Sequence, residues 1–245
     1  MNELRTTTTI VEQQTIMSEY EEQWLTGFWE GDGSCGKYHD YSWRRDVSEI
    51  AFGQKDRRVL EHIRDLLGCG HIQGNYLKIH YWKHCNEVFA LFCRHVVDER
   101  SASKINKVFE HFSMDVRAQS HEPTLPWIIG FFDAEGHIDW NNFGGLHSTI
   151  TQANYAILKR IQSLIGGHIH DDVTHYKGEL YTYNKLYLSG SDLRNFIPYI
   201  LEYSQHETHT QELLAKIHAL ARDGGGVWNN WAREIIVGGE LICNS

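Results

Sequence analysis

WLTGFWEGDG, Trp24 to Gly33, is an apolar run broken by glycine and closed by alternating acid and glycine. It returns as WIIGFFDAEG, Trp127 to Gly136, at an offset of 103 positions. The first copy carries a helix start: Ser18-Glu19-Tyr20-Glu21 fits a capping box, with a serine oxygen over an orphan N–H and a glutamate reaching back. Tyr20, Trp24 and Phe28 recur every four residues and share one stripe. Gly27 and Gly31 share another stripe without bulk, as do Gly130 and Ala134 in the second copy. Internal glycine costs a helix about 1 kcal/mol against alanine. Close approach of two backbones is the expected return, so the repeated helices should pack side by side through these residues. Gly33 and Gly136 are expected in the left-handed conformation that ends many helices. Asp32 and Glu135 then sit at helix C-termini, where the last carbonyls already form a negative pole. Neighbouring helices would add the repulsion of two like charges. A divalent cation relieves both, and carboxylate and carbonyl oxygens suit Mg²⁺. For one copy, a solvated Asp-Gly turn would explain the residues as well. Two matched copies favour one metal site built from both. An EF-hand loop begun at Glu30 would put Cys35 where glycine is needed.

The likeness runs on from the motif. Phe52-Gly53-Gln54-Lys55 faces Ile150-Thr151-Gln152-Ala153, and VLEHIRDLLGCGHI (59–72) faces AILKRIQSLIGGHI (156–169). Each of the latter predicts a helix closed by glycine, then a strand. YLKIHYW (76–82) and YNKLYLSG (183–190) predict strands. NEVFALFCRHVV, SASKINKVFEHF, SDLRNFIPYIL and HTQELLAKIHAL predict helices. The expected fold class is α+β: two pseudo-twofold-related αββαββα halves, each a four-stranded antiparallel sheet with helices on one face. Expected boundaries are a frayed tail over 1–17, halves at 18–112 and 126–221, a polar linker at 113–125, and a tail at 222–245 that Trp228 and Trp231 pin back.

Hydrophobic residues make up 41% of the 245, enough for a real core. No apolar run is long enough to span a bilayer, and the N-terminus lacks a signal-peptide core. Five cysteines (Cys35, Cys69, Cys85, Cys93, Cys243) without a CxxC pair fit reduced thiols and an intracellular protein, in a bacterial cytoplasm or an organelle. The net charge of −9 runs against a nucleic-acid partner, which usually meets a basic surplus.

LTGFWEGDG (25–33) and IIGFFDAEG (128–136) resemble the nine-residue signature of the LAGLIDADG homing endonucleases, and two copies resemble the monomeric, two-motif branch. The resemblance covers roughly residues 18–221. It implies a saddle of two sheets over the DNA major groove. It also implies metal-binding acids at Asp32 and Glu135, with the carbonyls of Gly31 and Ala134 as further ligands. Mg²⁺ is the implied ion, and Mn²⁺ or Ca²⁺ could take the same place. Gln54 and Gln152 match a polar position near the attacking water, and Arg58 matches a basic position one turn beyond Gln54, with Ala156 as its counterpart. Where the family often has a lysine before each closing helix, the first half offers Arg100 or Lys104 and the second only His206 and His209.

The implied reaction is hydrolysis of double-stranded DNA at one long site, giving a staggered break without a covalent intermediate. Readout would come from strand residues facing away from the helices. Glu49 leads the outward set of the second strand. Ser34, Tyr38, Gln73, Asn75, Lys78, His80, Asn141, His147, Thr149, Thr151, His170 and Lys185 are further candidates, with Arg44 and Arg45 at a hairpin tip. Gln and Asn suit adenine, and Lys suits guanine or phosphate. Clustered histidines such as His80 and His84 form no closed zinc set. Two other readings share the scaffold: an intron maturase that binds RNA, and a DNA-binding protein that does not cut.

Overall fold

The computed structural model describes residues 17–40, 44–176, 179–223 and 226–237. The expected frayed tail lies outside these residues except for Met17, as do Cys243 and the last eight positions. In the first half, helix α1 (Glu19–Asp32) runs into strands β1 (Gly33–Asp40) and β2 (Arg45–Gly53). Helix α2 (Arg57–Leu67), strands β3 (His71–Gln73) and β4 (Tyr76–Ile79), and helices α3 (Trp82–His95) and α4 (Glu99–His111) follow. The second half repeats the order: α5 (Leu125–Glu135), β5 (Gly136–Trp140), β6 (Leu146–Gln152), α6 (Tyr155–Ile165), β7 (His168–Tyr176), β8 (Glu179–Ser189), α7 (Gly190–Tyr203) and α8 (Glu207–Asp223). Helix α9 (Gly226–Val237) is appended. The strand orders are β1-β2-β4-β3 and β5-β6-β8-β7, with every neighbour antiparallel. This is the α+β plan that the repeat predicts.

Alternation sorts each sheet into two faces. Ile50, Phe52, Leu77 and Ile79 are buried under the helices of the first half, and Leu146, Ile150, Leu186 and Leu188 under those of the second. Glu49, Lys78 and His80 take the other face of the first sheet. His147, Thr149 and Thr151 do the same in the second. One expected strand is too long. β4 stops at Ile79 and Trp82 opens α3. Tyr81, 79% exposed, has no core to face, whereas Cys85, Val88, Phe89 and Phe92 form a buried helical stripe that draws the chain into α3.

The two repeated helices pack directly on each other. A Cβ on Gly27 would lie 2.9 Å from the Trp127 carbonyl carbon and closer still to its oxygen; one on Gly130 would lie 2.7 Å from the Trp24 carbonyl carbon. Gly27 and Gly130 therefore make the contact expected of them. Gly33 and Gly136 correct the expectation of left-handed caps. Both are extended, at φ −103° and −85°. They are glycine because a Cβ there would strike the chain's own preceding turn, Trp29 at Gly33 and Phe132 at Gly136. Each helix thus feeds its strand without a break.

N-caps tie the halves together reciprocally. Asp56 caps α2 and accepts from Thr208 at the start of α8, while Asn154 caps α6 and donates to Asp98, the cap of α4, at 2.9 Å. The appended α9 does pin itself back. A Cβ on Gly145, in the β5–β6 hairpin, would meet the Trp228 ring; Arg194 of α7 lies 5.2 Å from that ring. Asn229 donates to the carbonyls of Leu220 and Ala221 at the end of α8.

Candidate metal centre and nucleic-acid face

The tight glycine contact carries both helix ends to one place. A Cβ on Gly31 would stand 2.5 Å from the Ala134 Cβ and 3.1 Å from the Glu135 Cγ. Burial pushes the Asp32 carboxyl up to about 6, although part of the side chain faces solvent. Burial, and then the charge of Asp32, pushes Glu135 up to about 7. Neither carboxylate has an ion pair or hydrogen bond among the described residues. Two crowded acids without a cation, beside carbonyls that a helix leaves unpaired at its end, make a hard-oxygen donor set. That chemistry fits Mg²⁺, Mn²⁺ or Ca²⁺. Among the described residues no group of three or more His, Cys, Asp and Glu side chains could hold a metal ion, so these two acids would depend on other oxygens to complete a shell.

The first acid of each motif, Glu30 or Asp133, has a different task that local sequence pattern does not reveal. Glu30 accepts from the backbone N–H of Val97 and of Asp98, both at 2.8 Å, and from the Trp127 indole of the opposite motif at 2.7 Å. Asp133 accepts from the Trp24 indole at 2.8 Å, from Ser204 Oγ at 2.7 Å and from the Gln205 N–H at 3.1 Å. Each acid therefore clasps the facing motif's tryptophan to the joint between the last two helices of its own half. Burial pushes Glu30 up to about 8 and Asp133 up to about 7, against these donors. The signal was available: Trp24 and Trp127, like Glu30 and Asp133, hold the same place in the two copies.

These shifts set a pH dependence. In the unfolded chain all four carboxyls ionise near an ordinary value of about 4. Folded, they hold their protons to about 6, 7, 7 and 8. Between those limits the native state binds more protons, so stability falls as pH rises through the window. Thermal melts should show Tm declining from about pH 5 to about pH 8, and added Mg²⁺ or Ca²⁺ should restore it at the upper end only. A Tm at the upper end that ignores divalent cations would count against the donor set.

Gln54 and Gln152 behave as twins. Each side-chain oxygen accepts from the next backbone N–H, at 2.7 Å from Lys55 and 2.8 Å from Ala153, which leaves the NH₂ free to donate. A Cβ on Gly53 would lie 3.2 Å from the Asp32 carbonyl oxygen, so the end of β2 runs beside the first motif. Arg58 is engaged with Asp56, with Thr208 and, at 3.5 Å, with Glu207, which makes it part of the brace between the halves. The histidines offered in place of a second lysine do not suit that task. His206 and His209 stack at 3.6 Å, and burial followed by the neighbouring His209 lowers His206 to about 4, so it stays neutral. Besides Arg58, Lys216 of α8 brings a cation to the start of β5, on the Ile138 carbonyl and 3.7 Å from Asp139. Lys104 of α4 lies near Cys35, the corresponding position of β1.

Most reading candidates lie on the outer faces. Lys78 pairs with Glu49 at 3.4 Å, and His80 meets Glu49 at 3.4 Å and the Tyr38 hydroxyl at 3.0 Å. Ser34 lies opposite Ala51, and Gln73 and Asn75 are exposed around the β3–β4 turn. Arg44 and Arg45 are exposed at the tip of the first hairpin. Thr149 stands across from Tyr187, and Thr151 from Lys185. Asn141 braces the β5–β6 hairpin. Its Oδ1 accepts from the N–H of Phe143 and of Gly145, at 2.9 and 3.0 Å, and its Nδ2 donates to the Leu146 carbonyl. These bonds close the hairpin with Oδ1 and one Nδ2 hydrogen, and the second Nδ2 hydrogen remains for a base edge. The tip also presents Phe143, 96% exposed.

Twinned motifs, twinned clasps and two sheets in one chain define a class. Residues 122–201 match the family model described as LAGLIDADG-like domain. The match falls on the second half, and the first half repeats that half's strand order and helices. The meganuclease I-SmaMI, solved bound to uncleavable DNA, aligns with a TM-score of 0.61 at 16% identity, over 88% of this chain and 98% of that one. The LAGLIDADG homing endonuclease I-GzeII, in complex with its DNA target, aligns at 0.58 and 14% identity, over 91% and 97%. I-SmaMI bound to uncleaved DNA in the presence of calcium ions aligns at 0.54 and 14%, over 89% and 98%. At these identities the likeness is one of fold. No curated protein matches the chain by sequence. No helix among the described residues is long and apolar enough to cross a membrane.

Proposed function

We propose that the chain is a site-specific DNA endonuclease acting as a monomer, cutting both strands of a long duplex target with a staggered break. The observation that carries this reading is the meeting of Asp32 and Glu135 at two touching helix ends, with no basic side chain paired to either among the described residues. Asp32 and Glu135, with the carbonyls of Gly31 and Ala134, would hold a divalent cation, Mg²⁺ first. Bound there, such an ion lowers the pKa of water and offsets charge on the leaving oxygen. The free NH₂ groups of Gln54 and Gln152 would hold and orient water at the two scissile positions. The clasps at Glu30 and Asp133 keep the two helix ends in register, which positions the acids. The outer sheet faces would lie in the major groove, with Gln73, Asn75, Thr149 and Thr151 toward bases and Arg44 and Arg45 toward phosphates. Retention of both acids favours cutting over a binding-only role.

The test is selection of cleaved sites from a randomised duplex library with Mg²⁺ present. One long recovered sequence is expected; no cleaved product refutes the reading. Binding should also weaken steeply with salt despite the acidic chain, since phosphate contacts release counterions. A flat salt response in a filter-binding or anisotropy titration would argue against DNA.

A further inference from the structure

We propose that His168 and His170, flanked by Tyr187 and His147, form a DNA-backbone contact that takes up protons as it binds. This rests on the endonuclease reading and adds how the second sheet acquires positive charge in an acidic chain. The cations already on that face are matched: Lys185 pairs with Asp172 at 2.6 Å, as Lys78 pairs with Glu49 on the first sheet. His168 and His170 stand on the edge strand β7, opposite Tyr187 and Lys185 of β8, and both are exposed. Their rings lie 4.5 Å apart, edge to face, and 5.2 and 5.8 Å from the Tyr187 ring, on which His147 of β6 stacks at 5.3 Å.

The charged and titratable groups of the patch can be named strand by strand. β7 adds the exposed Asp171, beside His170 in sequence, and Asp172, held by Lys185; β8 adds Tyr183, Lys185 and Tyr187; β6 adds His147. β5 adds His137 and Asp139, and Asp139 already meets His137 and Lys216, each at 3.7 Å. No carboxylate pairs with His168 or His170 among the described residues, whereas His80 on the first sheet already has Glu49. Histidine is the side chain whose ordinary titration spans pH 5 to 8, and its protonated ring presents two N–H donors. Two charged rings this close repel each other. A phosphate oxygen between them offsets the repulsion, so binding draws protons onto the pair.

The test is the affinity of the full chain for its selected duplex in EDTA, at fixed ionic strength. The wild type should bind about tenfold tighter at about pH 5.5 than at about pH 8. His168→Gln with His170→Gln should flatten that slope, leaving only the part that Asp32 and Glu135 give to every variant. His168→Lys with His170→Lys should bind tightly at both values, which shows that the face still folds. All three proteins keep Asp32 and Glu135, so any titration of those acids is common to them and cancels. Glutamine and lysine variants that keep the wild-type slope would overturn the proposal. Absence of duplex binding by the wild type at both values would remove the endonuclease reading itself.

Discussion

Asp32→Asn is expected to lower double-strand cleavage by about a hundredfold to a thousandfold, the scale lost when a charge-stabilising group leaves a reacting oxygen. Affinity for the target should stay within about tenfold, or about 1.4 kcal/mol. The amide keeps the shape of the carboxylate and disturbs no ion pair or hydrogen bond, because Asp32 has none among the described residues. It removes one of the two charges that would hold the cation, and it relieves the repulsion that adds to burial in lifting Glu135. Glu135→Gln should do the same from the other side. Single-turnover cleavage beside a binding titration separates the two effects. Wild-type cutting by Asp32→Asn in Mg²⁺ would remove Asp32 from the site.

Gly130→Ala should produce the largest loss of stability. The new methyl would lie 2.7 Å from the Trp24 carbonyl carbon and 3.0 Å from the Phe28 nitrogen, both backbone atoms of the facing helix. Backbone cannot rotate aside, so the helices must separate. Separation draws the Trp24 indole from Asp133 and the Trp127 indole from Glu30, leaving buried polar groups short of partners. The cost should reach or exceed the upper end of the roughly 1–3 kcal/mol typical of overpacked cores. For a chain of this size that is a fall in Tm of about 6–12 °C. Gly27→Ala should match it through Trp127. Thermal melts at one pH decide the matter, and a variant as stable as the wild type would contradict the packing.

Period and repetition made much of this legible in the sequence. The bulk-free stripe at Gly27, Gly31, Gly130 and Ala134 could mean little else than two helices in backbone contact, and the structure makes that contact. Alternation along β2 and β6 sorted inward from outward residues correctly. What escaped depended on side chains that meet from distant parts of the chain. Glu30 and Asp133 look like surface acids until Val97, Asp98, Ser204 and Gln205 are brought to them. Gly33 and Gly136 matched a cap by residue type, but their reason is a collision with the preceding turn, which no local pattern encodes. Asn141 suits adenine by type, and its bonds to Phe143 and Gly145 add a hairpin-closing task that the type alone does not reveal. Lys216 is a turn and more inside α8, beyond the window in which a replacement lysine was sought.

The most direct measurement is diffraction from the chain bound to its selected duplex with Mn²⁺, recorded at the manganese edge. An anomalous peak touching carboxylate oxygens of both Asp32 and Glu135, with a phosphate oxygen beside it, is the expected result. Manganese bound elsewhere, or none between the two helix ends, would contradict it.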